Sequence, residues 1–264
     1  MRIHQLRNAT LIIESGAFRI LVDPMLAARH GLPPLCLRGG WQRNPLVDLP
    51  PSAAAALDGV THCLITHCRK GHFDHLDRAG VEFLRERQIP LICTPHDAPY
   101  LARRGLRVQP LPRDHQRPSA FLGGQIRTLR CTHGRGLVGR LMEHGVGYFI
   151  QLPGEPSLHL CGDTVLSPVL RRFLTEQQPD ICVAPAGGAR LDLGGEIIMG
   201  LDQVLELTTL LKGQVVANHL QALNHCPVTR DALLAAAREA GLSQRLWVPE
   251  DGEVLHFEAR ESRR

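Results

Sequence analysis

Ile65-Thr66-His67-Cys68-Arg69-Lys70-Gly71-His72-Phe73-Asp74-His75-Leu76-Asp77 is the stretch that decides the fold. Three histidines and two aspartates fall within eleven residues of it. The apolar run Cys63-Leu64-Ile65 leads straight into them and reads as a buried strand ending in a loop. A strand end is rigid, and a loop held by it can aim several side chains at one point. Imidazole and carboxylate together suit zinc, manganese or iron. A solvated polar turn is the plain alternative. Against it, the spacing of His72, Asp74 and His75 is tight, and further histidines follow other strand ends later in the chain. Cys63, Cys68 and His72 would begin a zinc knuckle, but no second Cys pair completes one.

Upstream, residues 3–6, 9–14 and 18–22 read as strands, the last two joined by a Ser15-Gly16 turn. Asp23-Pro24 ends the hairpin. Residues 26–58 are punctuated by Pro33-Pro34, Gly39-Gly40, Pro45 and Pro50-Pro51, a density that excludes a long helix or a central strand. So long a loop is either a lid, with Leu35 or Trp41 touching substrate, or surface decoration. Downstream, residues 77–87 read as a helix, 90–93 as a strand, 99–104 as a helical turn or two, and 106–111 as a strand. The loop at 112–120 marks the midpoint between two halves. His96 and His115 sit in loop-like settings and read as solvated or satisfied.

The second half repeats the pattern. A strand at 125–131 runs into Thr132-His133-Gly134. A strand at 145–152 and another at 157–161 follow, the latter ending in Gly162-Asp163-Thr164. His144 and His159 lack such context, and His159 reads as structural. Ser167 caps a helix at 168–177 with Pro168 at its first position. A strand at 180–185, a helix at 199–212 closed by Gly213, and a strand at 215–219 ending in His219 complete the series. His225 competes with His219 for its role. A helix at 229–240 precedes residues 246–249 and 253–257, which read as a β pair around Asp251-Gly252.

These pieces together resemble the metallo-β-lactamase superfamily, whose signature is H-x-H-x-D-H at a strand end. His72, Asp74 and His75 match its second His, its Asp and its last His. Lys70 stands where the first His would be. His67 keeps the strand-end position, so the resemblance implies a three-residue insertion whose bulge still lets His67 reach the metal. His133, Asp163 and His219 match the family's later ligands. Asn8-Ala9-Thr10 and Asp23-Pro24, flanking the hairpin, are similar to the branch containing ascorbate-6-phosphate lactonase. Asp23 is either a carboxylate partner for a metal-bound His or a plain Asp-Pro turn.

The implied fold is a single α/β domain over residues 1–264, a metallo-β-lactamase-like αββα sandwich with helices outside two sheets. The implied ligands are His67, His72 and His133 for one divalent ion, and Asp74, His75 and His219 for a second, with Asp163 bridging. Zinc is the first choice, with manganese or iron as alternatives. The implied chemistry is hydrolysis by a metal-bound hydroxide, because two ions lower the pKa of a shared water from about 15.7 towards ~7. Asp74 would also orient that hydroxide as the catalytic residue. Arg69 and Lys70 would either pair with an anionic substrate group or form a solvated basic turn. No residue is assigned to substrate binding.

Composition bounds the function classes. The chain has 264 residues, 44% hydrophobic and 21% charged, ample for a sizeable core. A net charge of +4 and only 4% aromatic residues argue against a nucleic-acid groove. Residues 1–20 lack the apolar segment of a signal peptide, and no apolar stretch approaches membrane-spanning length. Eight scattered cysteines suit reduced thiols in the cytoplasm. The Arg-rich end at 260–264 reads as a frayed tail. A small-molecule lactone, ester or related substrate is the leading expectation. A phosphodiesterase or nuclease, a non-catalytic binding protein on a degenerate site, and di-iron redox chemistry are the alternatives. A homo-oligomer is allowed.

Overall fold

Strand alternation builds two faces at once. In β2 (Thr10–Ser15), Leu11 and Ile13 pack into one core and Ile12 into another. In β11 (Ile181–Pro185), Ile181 and Val183 face one way, Cys182 and Ala184 the other. A strand buried on both faces belongs to a sheet covered on both faces. The computed structural model describes every residue except 39, 70, 113–116, 137–138, 140–141, 143–144 and 260–264. The readings given above for Lys70, His115, His144 and the 260–264 tail therefore lie outside the described residues.

The first half supplies β1 (Arg2–Arg7), β2, β3 (Phe18–Val22), β4 (His62–Leu64), β5 (Leu91–Cys93) and β6 (Val108–Pro110). The second supplies β7 (Ser119–Phe121), β8 (Gly124–Arg130), β9 (Val146–Gln151), β10 (Leu158–Leu160), β11, β12 (Gln214–Asn218) and β13 (Leu246–Trp247), before β14 (Val254–His256). They form two seven-stranded sheets, ordered β14-β1-β2-β3-β4-β5-β6 and β13-β12-β11-β10-β9-β8-β7. Each sheet is antiparallel at the end built from hairpins and parallel where helices make the crossovers. The midpoint loop leaves one sheet at its β6 edge and enters the other at its β7 edge, as expected.

Ile3, Leu11, Ile20 and Leu64 from the first sheet meet Ile126, Tyr148, Ile150 and Val216 from the second in the central core. Burying each such aliphatic side chain contributes roughly 1.5–3 kcal/mol. α1 (Ala53–Leu57), α2 (Arg78–Glu86) and α3 (Ala98–Ala102) cover the outside of the first sheet. α4 (Pro168–Gln177), α5 (Leu201–Leu210) and α6 (Arg230–Glu239) cover the second. The side chains of Asp77, Ser167 and Thr229 accept hydrogen bonds from Gly80, Leu170 and Ala232 amides, so each cap starts its helix. None of the described helices is long and apolar enough to cross a membrane.

One expectation fails. Residues 246–249 and 253–257 do not pair with each other. β13 runs parallel to β12, with Leu246 opposite Val215, while β14 runs antiparallel to β1 at the edge of the other sheet. Leu246 packs beneath the second sheet's helices and Leu255 between the sheets, so each run closes a different edge.

Residues 26–58 are tied to the body. Arg7 is fully buried and donates to the carbonyls of Met25 (2.8 Å), Ala27 (2.8 Å) and Val47 (3.1 Å). Asn224 is a second anchor. Its Oδ1 accepts from the Leu35 amide and from Asn44 Nδ2, and its Nδ2 donates to the carbonyls of Cys36 and Gly40. Leu35 is thereby held against the site described next. Trp41 is 78% exposed and does not line the cavity over that site, which removes it from the substrate role considered for it.

Candidate metal centre

The loops that follow β4, β8, β10 and β12 meet at one edge of the sandwich. They bring together His67, His72 and His133 in one group, and Asp74, His75, Asp163 and His219 in another. Within each group the candidate ligand atoms lie within 4.8 Å of one another, and all seven residues are buried. They are the seven residues named from the sequence, with Asp163, expected between the two sets, grouped with the second. The longer loop between His67 and His72 does not separate them: their rings are 4.3 Å apart. Asp163 Oδ2 lies 3.1 Å from His75 Nε2, 3.5 Å from His219 Nε2, 3.6 Å from His133 Nε2 and 4.0 Å from His67 Nε2. One carboxylate oxygen thus faces both groups.

Strained backbone delivers these side chains. Gly162 has φ +62°, and a Cβ there would lie 2.8 Å from the Val146 carbonyl, so only glycine turns the chain into Asp163 here. Asn8, Asp23 and His219 also have positive φ, at 55°, 44° and 56°. Each costs of order 1 kcal/mol or more and persists because its neighbours fix it. The His219 amide donates to the Asn8 carbonyl at 3.0 Å, and Asn8 Nδ2 donates to the Asp74 carbonyl at 3.0 Å. Asn8, noted in the sequence only for its resemblance, therefore ties two of the ligand-bearing loops together.

Every one of the five imidazoles engages an outer partner through Nδ1. His75 donates to Asp23 Oδ2 at 2.9 Å, and Asp23 is itself held by the Thr66 amide at 2.8 Å and the Thr66 hydroxyl at 2.6 Å. Asp23 thus takes the carboxylate-partner geometry, not that of a bare turn. The Thr66 hydroxyl accepts from His67 Nδ1 at 3.0 Å. His133 donates to the Ile197 carbonyl at 2.8 Å, and His72 to the Arg69 carbonyl. His219 Nδ1 lies 3.5 Å from Cys226 Sγ. With Nδ1 carrying a hydrogen, Nε2 is the nitrogen turned to the centre, and in a neutral imidazole it is a lone pair able to coordinate.

Nε2 of His72 and of His133 face each other at 3.2 Å. Two lone pairs at that distance repel unless something positive lies between or beside them. Nε2 of His75 and of His219 are buried and make no hydrogen bond of good geometry. Such a donor set, five imidazoles and two carboxylates with outer partners already in place, fits divalent cations of the zinc, iron or manganese kind.

The electrostatics agree. Burial pushes the His67 and His72 imidazoles below their ordinary range, and takes His133 down to about 4, so all three stay neutral and able to coordinate. Burial alone would raise Asp74 and Asp163, yet the imidazoles of His75 and His219 hold both carboxyls well below the usual range. Burial would also lower His75 and His219, but Asp163, with Asp74, raises both well above 6.5. In the metal-free site, protons on His75 and His219 therefore balance the two carboxylates. A dication must displace them, so binding releases protons and strengthens as pH rises towards those raised pKa values.

Other candidates fall away. Arg69 Nη1 donates to the His96 carbonyl at 3.2 Å and does not line the cavity over the site. His159 lies under Phe173, ring centroids 4.7 Å apart, and burial takes it down to about 3, as befits a structural residue. His225 belongs to neither ligand group. It stands in the wall of a cavity of about 180 Å³ above the centre, with Leu35, Met142, Leu191 and Ile197 as the apolar lining. No Lys or Arg lines that cavity among the described residues. Leu191 and His225 also border an adjoining cavity of about 340 Å³ that holds Arg38 and Arg190. Asn224, Cys226, Leu191 and Ile197 carried no signal in the sequence, because only tertiary packing brings them here.

Comparison with known proteins fits this geometry. Residues 2–218 match the family model described as the beta-lactamase superfamily domain. A UPF0173 protein of Bacillus subtilis (strain 168) is 33% identical over 97% of this chain and 100% of its own length. A UPF0173 metal-dependent hydrolase of Agrobacterium fabrum is 22% identical over 97% of this chain and 100% of its own. Among solved structures, the isothiocyanate hydrolase from Delia radicum gut bacteria aligns with a TM-score of 0.88 and 29% identity, covering 98% of this chain and 100% of that one. A possible metal-dependent hydrolase from Veillonella parvula aligns with a TM-score of 0.86 and 25% identity, covering 97% and 98%. These matches do not show the lactonase branch that the N-terminal hairpin resembles.

Proposed function

The chain belongs to the metallo-β-lactamase superfamily, among the UPF0173 proteins and its metal-dependent hydrolases, and from that footing we propose that it hydrolyses a small, neutral, largely apolar electrophile. The observation that carries the substrate class is the cavity: four apolar side chains enclose the space above the centre, and no described cation lines it. Beyond the ions themselves, an anionic phosphodiester would find no described Lys or Arg in the lining to pair with its charge, and the apolar side chains favour a neutral body instead. Isothiocyanates come first in the class, because a structural neighbour covering 98% of this chain is an isothiocyanate hydrolase. Lactones and esters, which offer a similar electrophilic carbon, come second on the likeness of the opening hairpin.

His67, His72 and His133 would hold one ion and Asp74, His75 and His219 the other, with Asp163 between them, zinc being the first choice. When bound, the ions supply a water acidified towards neutral pH and a Lewis acid for the bond under attack. The protein's own groups do the rest. Asp74 Oδ2 lies 3.7 Å from His75 Nε2 and 3.6 Å from His219 Nε2, and its side chain also borders the cavity. In this reading it orients the attacking water and accepts its hydrogen bond. Leu35, Met142, Leu191 and Ile197 exclude bulk water and hold the substrate's carbon skeleton. Asp23 and the carbonyls of Ile197 and Arg69 keep the imidazoles in the tautomer that points Nε2 inwards. With an isothiocyanate, water's oxygen bonds to the central carbon and both its hydrogens end on nitrogen. The C–N bond breaks, releasing a primary amine and carbonyl sulfide. Eight free thiols suit a reducing compartment, so the cytoplasm is the proposed setting.

The test is direct. Zinc-loaded protein given allyl or benzyl isothiocyanate is expected to release one amine per carbonyl sulfide, and chelation is expected to abolish the release. Turnover of anionic phosphodiesters in preference to neutral isothiocyanates, lactones and esters would overturn the substrate class.

A further inference from the structure

We propose that His225 hydrogen-bonds the substrate's reacting group, donating from Nε2 to the heteroatom that must gain a proton. This rests on the hydrolysis of a small neutral electrophile proposed above. His225 is 6% exposed and is the one polar side chain in the described lining of the reaction cavity that belongs to neither ligand group. Its Nδ1 is turned to Cys226 Sγ at 3.9 Å. Its Nε2 makes no hydrogen bond to a described residue and is not sealed off in the wall, so it is open to a ligand in the cavity that His225 lines.

The proton arrangement follows from the neighbours. His219 has its Nε2 in the centre, so its Nδ1 carries hydrogen and donates to Cys226 Sγ, 3.5 Å away. The sulfur then has its own hydrogen free for His225 Nδ1, and the His225 hydrogen sits on Nε2. If the sulfur proton moves to His225, the imidazolium still carries hydrogen on Nε2. Both arrangements make Nε2 a donor into the cavity. The mounting is rigid: the His225 carbonyl accepts from the Arg190 amide at 3.0 Å, the Cys226 amide donates to Leu223, and the neighbouring Asn224 is locked into the 35–44 segment. In isothiocyanate hydrolysis the nitrogen gains both hydrogens as water adds and the C–N bond breaks. A donor fixed at that nitrogen stabilises the charge that builds there.

Two variants and one spectroscopic probe test this. His225→Ala is expected to keep the wild-type metal content, to lower kcat for alkyl isothiocyanates by about 10²-fold, and to leave KM nearly unchanged. His225→Gln, which returns an N–H close to the Nε2 position, is expected to recover part of that loss. The penalty is expected to shrink for nitrophenyl isothiocyanates, whose amine leaves with less help. Independently of turnover, the nitrile stretch of a bound small alkyl thiocyanate, an unreactive isomer, is expected to move to higher wavenumber in the wild-type protein and not in His225→Ala. Loss of metal in both variants would make His225 a ligand and overturn the proposal, as would a nitrile frequency identical in the two proteins. A His225-dependent nitrile shift in a protein that hydrolyses no isothiocyanate, lactone or ester would defeat the proposed activity while leaving the His225 contact standing.

Discussion

Asp163→Ala is expected to leave the purified protein with little bound metal and to lower hydrolysis below detection, a loss of at least roughly 10³-fold. Loss of an outer partner of a ligand costs about 10–100-fold in metal affinity or activity, and Asp163 is nearer than that. Its Oδ2 stands between 3.1 and 4.0 Å from four of the five histidine Nε2 atoms. It is therefore the group best placed to hold two like-charged ions together. The metal-free variant should still fold, because His75 and His219 can give up the protons that Asp163 holds on them. The effect should thus appear in metal content and activity, and the metal-free variant should also lose the stability that the raised His75 and His219 pKa values supply below those values. Full metal retention by Asp163→Ala, measured by elemental analysis, would remove the bridging role.

Asp74→Asn is expected to lower kcat by about 10²–10³-fold while KM stays within a few-fold. The amide keeps the size of the carboxylate and one of its oxygens, so the cavity keeps its shape. What is lost is the charge that accepts the water's hydrogen and balances His75 and His219. The pH consequence has a definite sign. With one carboxylate fewer, the pKa values of His75 and His219 fall, so in the metal-free variant fewer protons remain to be displaced near neutral pH. In wild-type metal-free protein, the raised pKa values of these two histidines contribute stability that is fully present below pH 6.5 and is lost as pH rises through the raised values. That loss should be smaller in Asp74→Asn. A variant with wild-type kcat and a greatly raised KM would place Asp74 in substrate binding instead.

Most of this centre was legible in the sequence because its residues follow strand ends at short spacing. His72, Asp74 and His75 sit within four residues, and Gly162-Asp163 is a strand-to-turn step that needs glycine. His67 was legible for the same reason: it directly follows the β4 region, and its ring still lies 4.3 Å from that of His72. The Asp23 role was half legible, since an Asp-Pro step reads as a turn until His75 is seen 2.9 Å away. What packing alone decides was not legible. A two-residue strand such as β13 pairs wherever an edge is open, so local pattern could not separate it from β14. Leu35 reaches the cavity because Asn224, nearly two hundred residues later, holds its loop. Trp41, more conspicuous in the same segment, faces solvent. Arg69 and Lys70 left an anionic substrate group open as one of two readings, and the cavity's apolar lining supports the neutral substrate proposed above.

The central claim is that these seven residues form a two-ion centre, and calorimetric titration of the metal-free protein with zinc tests it most directly. Two zinc ions per chain are expected near neutral pH. Runs in buffers of different ionisation enthalpy should show roughly two protons released as His75 and His219 are displaced from their protonated forms. Apparent affinity should rise with pH up to the raised pKa values of those histidines and then level off. Binding of a single ion, or of none, or binding without proton release, would contradict the account.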